Sequence, residues 1–204
     1  MNAVLHTGPM PERSTADDIL SRAATLFSRR GYHAVGIRDL AEAVGLSTST
    51  LYHYYATKQD ILFAIVSRFL AEFTARQIAG LRNTAVPARE RLEWAGDGHV
   101  ELTVTRSEEL LVGNPVLNAL SPDQQAAIAG MRREYRDTVR DVIAEGVEAG
   151  TFHVADPLLT AMAMLDMLDG IRSWYHPDGP LPLPALAARY RAFALALCQA
   201  GGQP

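Results

Sequence analysis

The stretch Ile37-Arg38-Asp39-Leu40-Ala41-Glu42-Ala43-Val44-Gly45-Leu46-Ser47-Thr48-Ser49-Thr50-Leu51-Tyr52-His53-Tyr54-Tyr55-Ala56-Thr57-Lys58 reads as two short helices joined by a glycine turn. Ile37, Leu40, Ala41 and Val44 fall at i, i+3, i+4 and i+7, one apolar stripe of an α-helix. Gly45 follows the last of them, where a left-handed residue ends a helix and glycine has no Cβ to clash. Ser47 then offers a hydroxyl to cap the next helix. That helix turns Leu51 inward and leaves Thr48, Ser49, Thr50, Tyr52 and His53 on its other faces. A solvated helix face prefers Glu and Lys. Short hydroxyls, an aromatic ring and an imidazole suit phosphates and base edges instead.

Charge points the same way once its distribution is read. The 204 residues carry a net −4, which taken whole argues against a nucleic-acid partner. Between Leu20 and Lys58, however, Arg22, Arg29, Arg30, Arg38 and Lys58 oppose only Asp39 and Glu42. That local +3 leaves −7 for the remainder of the −4 total. Phosphate attraction acts over about one Debye length, roughly 8–10 Å in physiological salt, so the local balance decides. No carboxylate occurs between Ala43 and Asp60, which disfavours a helical ligand-binding protein that has lost DNA binding. Lys58 is the single lysine beside eighteen arginines.

The rest of the chain reads as helices. Ser14 and Thr15 before Asp17 and Asp18 resemble a capping box. Ile19, Ala23, Leu26 and Phe27 give the first helix its inner stripe, and Gly31 ends it. Thr57 caps a long fourth helix with Ile61, Leu62, Ile65, Phe69 and Phe73 inward. Pro87 opens a fifth that should run to about Val112. It contains Gly96 and Gly98, each costing about 1 kcal/mol against alanine, so a kink or a close helix approach is expected there. Ser121-Pro122-Asp123-Gln124 and Asp156-Pro157 start two more helices, and a last one covers about Leu183 to Ala200. With no β-alternation and no internal repeat, the expectation is an all-α chain of about nine helices. Residues 1–13 are expected to be a disordered segment, 14–60 a helix-turn-helix domain and 61–204 a ligand-binding and dimerisation body.

Composition excludes several classes. With 48% hydrophobic residues the chain can bury a core, and its apolar runs are too interrupted to span a bilayer. Met1 to Pro11 lacks a charged segment followed by an apolar one, so no signal peptide and a cytoplasmic location are expected. The single cysteine, Cys198, allows no internal disulfide. No His-Glu-x-x-His, Gly-x-Ser-x-Gly or glycine-rich phosphate loop occurs, so no catalytic residue, metal site or cofactor is expected.

Gly45-Leu46-Ser47, Thr50-Leu51-Tyr52-His53-Tyr54-Tyr55 and Lys58 together resemble the DNA-binding region of the TetR family of bacterial transcriptional regulators. The resemblance covers about residues 15 to 65. It implies an all-helical fold and a dimeric repressor released from double-stranded operator DNA by a small effector. On it, Tyr52, His53 and Lys58 align with backbone contacts, and Thr48 and Ser49 with residues nearer the bases. Arg38 is placed to reach DNA from the preceding helix, and Thr50 completes the expected set. Tyr54 and Tyr55 are expected to pack the head's core. Val35-Gly36 departs from the pattern, because the family usually caps the second helix with Ser or Thr, which also touches phosphate.

For an effector, Trp94, His99, Arg106, Tyr135, Asp166, Asp169, Arg172 and Trp174 lie among apolar neighbours in the body, a mixture that suits an amphiphilic molecule. Core packing for the two tryptophans and surface ion pairs for the two arginines remain open. The run Arg172 to Leu181 looks like a subgroup that includes regulators of lipid and steroid breakdown responding to acyl-CoA thioesters. The last two helices are apolar nearly all round, and a homodimer formed through them would bury both sides. Such a dimer places two recognition helices about 34–36 Å apart, or a multiple of that. Repressor and activator are not distinguished.

Overall fold

The computed structural model describes residues 15–106 and 117–199; the expected disordered segment 1–13 lies outside them. Among the described residues there is no strand. Their eight α-helices are α1 (Thr15–Arg30), α2 (Ile37–Val44), α3 (Thr48–Tyr54), α4 (Lys58–Leu81), α5 (Ala88–Thr105), α6 (Pro122–Glu148), α7 (Pro157–Gly170) and α8 (Leu183–Leu197). Between α5 and α6 the described residues hold the 3-10 turn Leu117–Ala119, and 107–116, where a further helix of the expected nine could fall, lie outside them.

The punctuation residues act as their chemistry requires. Gly45 adopts φ +70°, and the N–H groups of Gly45 and Leu46 return to the carbonyls of Glu42 and Ala41 at 3.1 and 2.9 Å. Ser47 Oγ accepts the Thr50 N–H at 3.0 Å, and Thr57 Oγ1 accepts that of Asp60 at 3.0 Å. Ser121 and Gln124 close a reciprocal box at 3.2 and 3.1 Å at the start of α6. The fifth helix is shorter than its pattern predicts. It ends at Thr105, after three consecutive β-branched residues (Thr103, Val104, Thr105) that are poor helix formers. Thr105 Oγ1 also donates to the Glu101 carbonyl at 2.9 Å, an alternative bond within the last turn. Of its glycines, Gly98 is the close approach. A Cβ there would stand 2.7 Å from Gln77 Nε2 on α4, whereas one on Gly96 would meet nothing within 4 Å.

Two apolar cores share α4. The first gathers Ile19, Ala23 and Phe27 of α1, Leu40 and Ala41 of α2 and Leu51 of α3. To these it adds Ile61, Leu62, Ile65, Val66, Phe69 and Leu70 of α4. It also recruits Leu120 and Ile128, so the head is seated on the start of α6. Gln59 donates to the Ala119 carbonyl, and Gln124 Nε2 donates to Asp60 Oδ1 at 3.1 Å across the same junction. The second core takes Ile78 and Leu81 of α4 with residues of α5 to α8. In it α5 packs along α8, where Arg191 meets Asp97 at 2.8 Å, and α4 packs along α6. Buried Arg91 joins α5 to both neighbours by donating to the Leu81 carbonyl at 2.7 Å and pairing with Glu145.

Tyr54 corrects an expectation. Tyr55 packs against the first core, but Tyr54 is 45% exposed, because a seven-residue helix has room for one inward position and Leu51 takes it. Leu51→Ala is expected to destabilise the protein by about 2–5 kcal/mol, the usual range for a buried leucine, read from urea unfolding followed by circular dichroism.

Candidate DNA interface and ligand cavity

The candidate recognition face is built on α3. Tyr52 is 49% exposed, and His53, Ser49 and Arg38 are exposed with it. Thr48 and Thr50 are half-buried. The hydroxyls of Ser49 and Thr50 bond to Ser47 Oγ at 2.8 and 2.7 Å. Thr50 therefore stiffens the start of α3 as well as standing near its outer face. At the start of α2 the Gly36 N–H donates to Asp39 Oδ2 at 2.7 Å, the carboxylate half of a capping box, while Gly36 has no side chain to accept an N–H of the first turn as Ser or Thr would.

Lys58 is placed differently from a free phosphate clamp. Its ammonium donates to the carbonyls of Tyr32 and Val35 at 3.0 and 2.8 Å and lies 4.2 Å from the centre of the Tyr32 ring. Burial lowers its pKa from the ordinary lysine value. Two of its three donors hold the turn between α1 and α2, leaving one direction for a phosphate. A cation used as a staple cannot be recognised from sequence, because the carbonyls it joins lie more than twenty residues away.

The body holds a cavity of about 440 Å3 between α4, α5, α6 and α7. His99, Tyr135, Asp166, Asp169 and Arg172 line it, whereas Trp94, Arg106 and Trp174 do not. Trp94 packs over Gly80, where a Cβ would come within 2.1 Å of its ring, and Trp174 stacks on Tyr190 with centroids 6.4 Å apart. Phe73 meets the rings of His99 and Tyr135 edge-on, each at 5.1 Å. His99 lies 3.4 Å from the Tyr135 hydroxyl through Nδ1 and 3.3 Å from Asp169 Oδ1 through Nε2. Burial raises the Tyr135 phenol, with Asp169 adding to the shift. Burial also pushes the Asp169 carboxyl upward, but the His99 hydrogen bond and the charges of His99, Arg172 and Arg132 outweigh it and hold the group below the usual carboxylate range.

Sequence reading missed Arg132, Arg133 and Arg136, which line the cavity from α6. The signal was available for Arg132, which precedes Tyr135 by three residues and so shares its helix face. One nitrogen of Arg172, Nη1, is buried without a hydrogen-bond partner. Phe69 lines the cavity on one side, and on another the Arg106 guanidinium stands 5.5 Å over its ring. Arg106 also pairs with Glu72 at 3.3 Å, Glu72 with Arg68 at 2.9 Å, and Arg68 with Asp17 of α1. A continuous ionic chain thus joins the end of α5 to the first helix of the head.

No group of three or more His, Cys, Asp or Glu able to hold a metal, and no helix long and apolar enough to cross a membrane, occurs among the described residues. Cys198 is buried in the second core, its thiol pushed up to about 11 by desolvation.

Residues 19–65 match the family model of bacterial regulatory proteins of the tetR family, and residues 85–198 match that of the tetracyclin repressor-like C-terminal domain. The chain belongs to the TetR family. It is 27% identical over 189 residues to the HTH-type transcriptional repressor KstR2 of Mycolicibacterium smegmatis, covering 92% of each chain. A tetR-family regulatory protein from Rhodococcus RHA1 superposes with a TM-score of 0.85 at 27% identity, over 92% of this chain and 98% of that one. AibR in complex with isovaleryl coenzyme A and operator DNA superposes at 0.78 and 25% identity, over 88% and 97%. The chain is therefore a ligand-responsive, DNA-binding transcriptional regulator of that family, built on its helix-turn-helix head and helical body.

Because Lys58 ties the α1–α2 turn in place, Lys58→Met is expected to lower stability by about 1–3 kcal/mol, measured by urea unfolding in the absence of DNA. An unchanged midpoint would show that the two carbonyl contacts contribute nothing to the head.

Proposed function

We propose that this chain is a homodimeric repressor that holds double-stranded operator DNA through Arg38, Thr48, Ser49, Tyr52 and His53, with Thr50 and Lys58 positioning them. A small amphiphilic effector of the acyl-CoA type then releases it. One observation carries the reading: α4 belongs to the head's core through Ile61 to Leu70 and to the cavity wall through Phe69, Leu70 and Phe73. A molecule that fills the cavity bears on the rod on which the head is built. It shifts the equilibrium only by its differential affinity for the two head spacings. The ionic chain from Arg106 to Asp17 offers a second connection between the same regions. KstR2 is a repressor by name, which supports repression, and AibR is seen with an acyl-coenzyme A, which supports the effector class.

The surfaces of α7 and α8 support the dimer. Leu159 is 62% and Phe193 52% exposed, with Leu158, Met162 and Trp174 also open. A large apolar patch on a single chain marks an association surface. Pairing these helices with their symmetry mates would form a four-helix interface and set the two α3 helices for adjacent major grooves.

Wild-type protein is expected to sediment at micromolar concentration as a species of twice the 22.2 kDa chain mass. The double variant Leu159→Glu, Phe193→Glu should run as a single chain and lose operator binding. Tyr52→Ala should remain dimeric yet weaken operator affinity about tenfold in a gel-shift titration at fixed salt, ~1.4 kcal/mol. A wild-type monomer, or an unchanged affinity for Tyr52→Ala, would sink the corresponding half of the proposal.

A further inference from the structure

Nothing on α3 can read a base pair by two bonds at once. Its seven residues, Thr48 to Tyr54, include no arginine, lysine, asparagine, glutamine or acid. A single hydroxyl bonds to any base, and here two are partly spent, since Ser49 Oγ and Thr50 Oγ1 each bond Ser47 Oγ, at 2.8 and 2.7 Å. Arg38 on α2 is therefore the one planar fork among the groups set out for DNA. Its place also carries a cost. It is the exposed second residue of α2, where the positive end of the helix disfavours a cation. Among the described residues it makes no hydrogen bond or ion pair, although Glu42 lies one turn further on. Asp39 beside it turns instead to the Gly36 N–H at 2.7 Å and to Arg30 at 4.0 Å. That carboxylate decides what Arg38 is suited to hold. It repels the full charge of a phosphate, and Gly36 offers a phosphate neither a hydroxyl nor a free N–H. The guanine edge offers two acceptors, N7 and O6, that match a guanidinium fork and carry no net charge.

We infer that Arg38 is the specificity-determining residue of the DNA interface and bonds N7 and O6 of one guanine in the major groove of each half-site. The inference rests on the DNA-binding reading above. The hydroxyls and rings of α3 hold the duplex but separate the bases weakly, because none of them matches a two-atom base edge. One guanine per half-site therefore dominates what the protein recognises.

The test uses the full chain and a pool of random-sequence DNA duplexes, from which the bound fraction is selected and sequenced at fixed salt. Wild type should enrich a motif with one fixed guanine in each half-site. Replacing that guanine in the selected duplex should weaken binding by about fivefold to a hundredfold, the range for one bidentate pair. Arg38→Ala should lose the preference at that position alone. Arg38→Gln should change it from guanine to adenine, because an amide pairs with adenine N6 and N7. Tyr52→Ala, in contrast, should select the same bases as wild type at lower affinity. Circular dichroism checks that each variant is folded, and Arg38→Gln carries the test should Arg38→Ala not fold. A wild-type motif with no guanine common to its half-sites overturns the inference, as does an unchanged motif in the Arg38 variants. Equal weakening on every duplex, with the slope of log affinity against log salt reduced by about one, also overturns it and marks Arg38 as a phosphate contact. Each of those results leaves DNA binding standing. A pool from which wild type enriches nothing overturns the DNA-binding reading and the inference with it.

Discussion

Much of this structure depends on α4 having to serve two cores at once. A helix of 24 residues is about 36 Å long, and its apolar positions cannot all face one partner. Its first half closes the small head, which α1, α2 and α3 cannot seal alone. Its second half is a wall of the body, and Phe69 and Leu70 sit where the two roles overlap. Head and body are consequently not beads on a linker. Leu120 and Ile128 enter the head's core from beyond α5, and Gln59 and Asp60 bond across the junction. Any rearrangement of the cavity wall must either displace this rod or be absorbed by it, because close-packed interiors transmit strain.

Polar groups divide between holding the fold and waiting for a partner. Lys58, Arg91 and Ser47 are engaged within the chain, each meeting backbone groups that would otherwise be left unsatisfied. Tyr52, His53 and Arg38 stand open on the head, and Arg172 Nη1 stands open inside the body. Residue type does not separate the two roles. Lys58, with the charge best suited to a phosphate, is largely committed to two carbonyls, while Arg172 retains a free donor in a buried place.

Much of the head was legible before any coordinates. Gly45, Ser47 and Thr57 act through bonds to residues within five positions, and local chemistry of that kind is written in sequence order. The inward position of Leu51 follows from spacing alone. Tyr54 was misread because pattern says that an aromatic prefers burial but not how many inward places a seven-residue helix provides. In the body, His99, Tyr135, Asp169 and Arg172 were recognisable as polar residues among apolar ones, yet Trp94, Arg106 and Trp174 fitted that description equally well. Which of them meet depends on how α5, α6 and α7 pack, and the contact between His99 and Asp169 spans seventy residues.

The chain's order of residues determined by itself the helical class, most helix ends, the helix-turn-helix and the family, since each rests on periodicity, caps or a local motif. Only the tertiary structure decided that Lys58 is a staple, that α4 is shared, and that Arg132 of α6 and Arg172 both act on the Asp169 carboxylate. Those facts belong to distances between helices, and such distances are set by the fit of whole apolar faces, which no local pattern records.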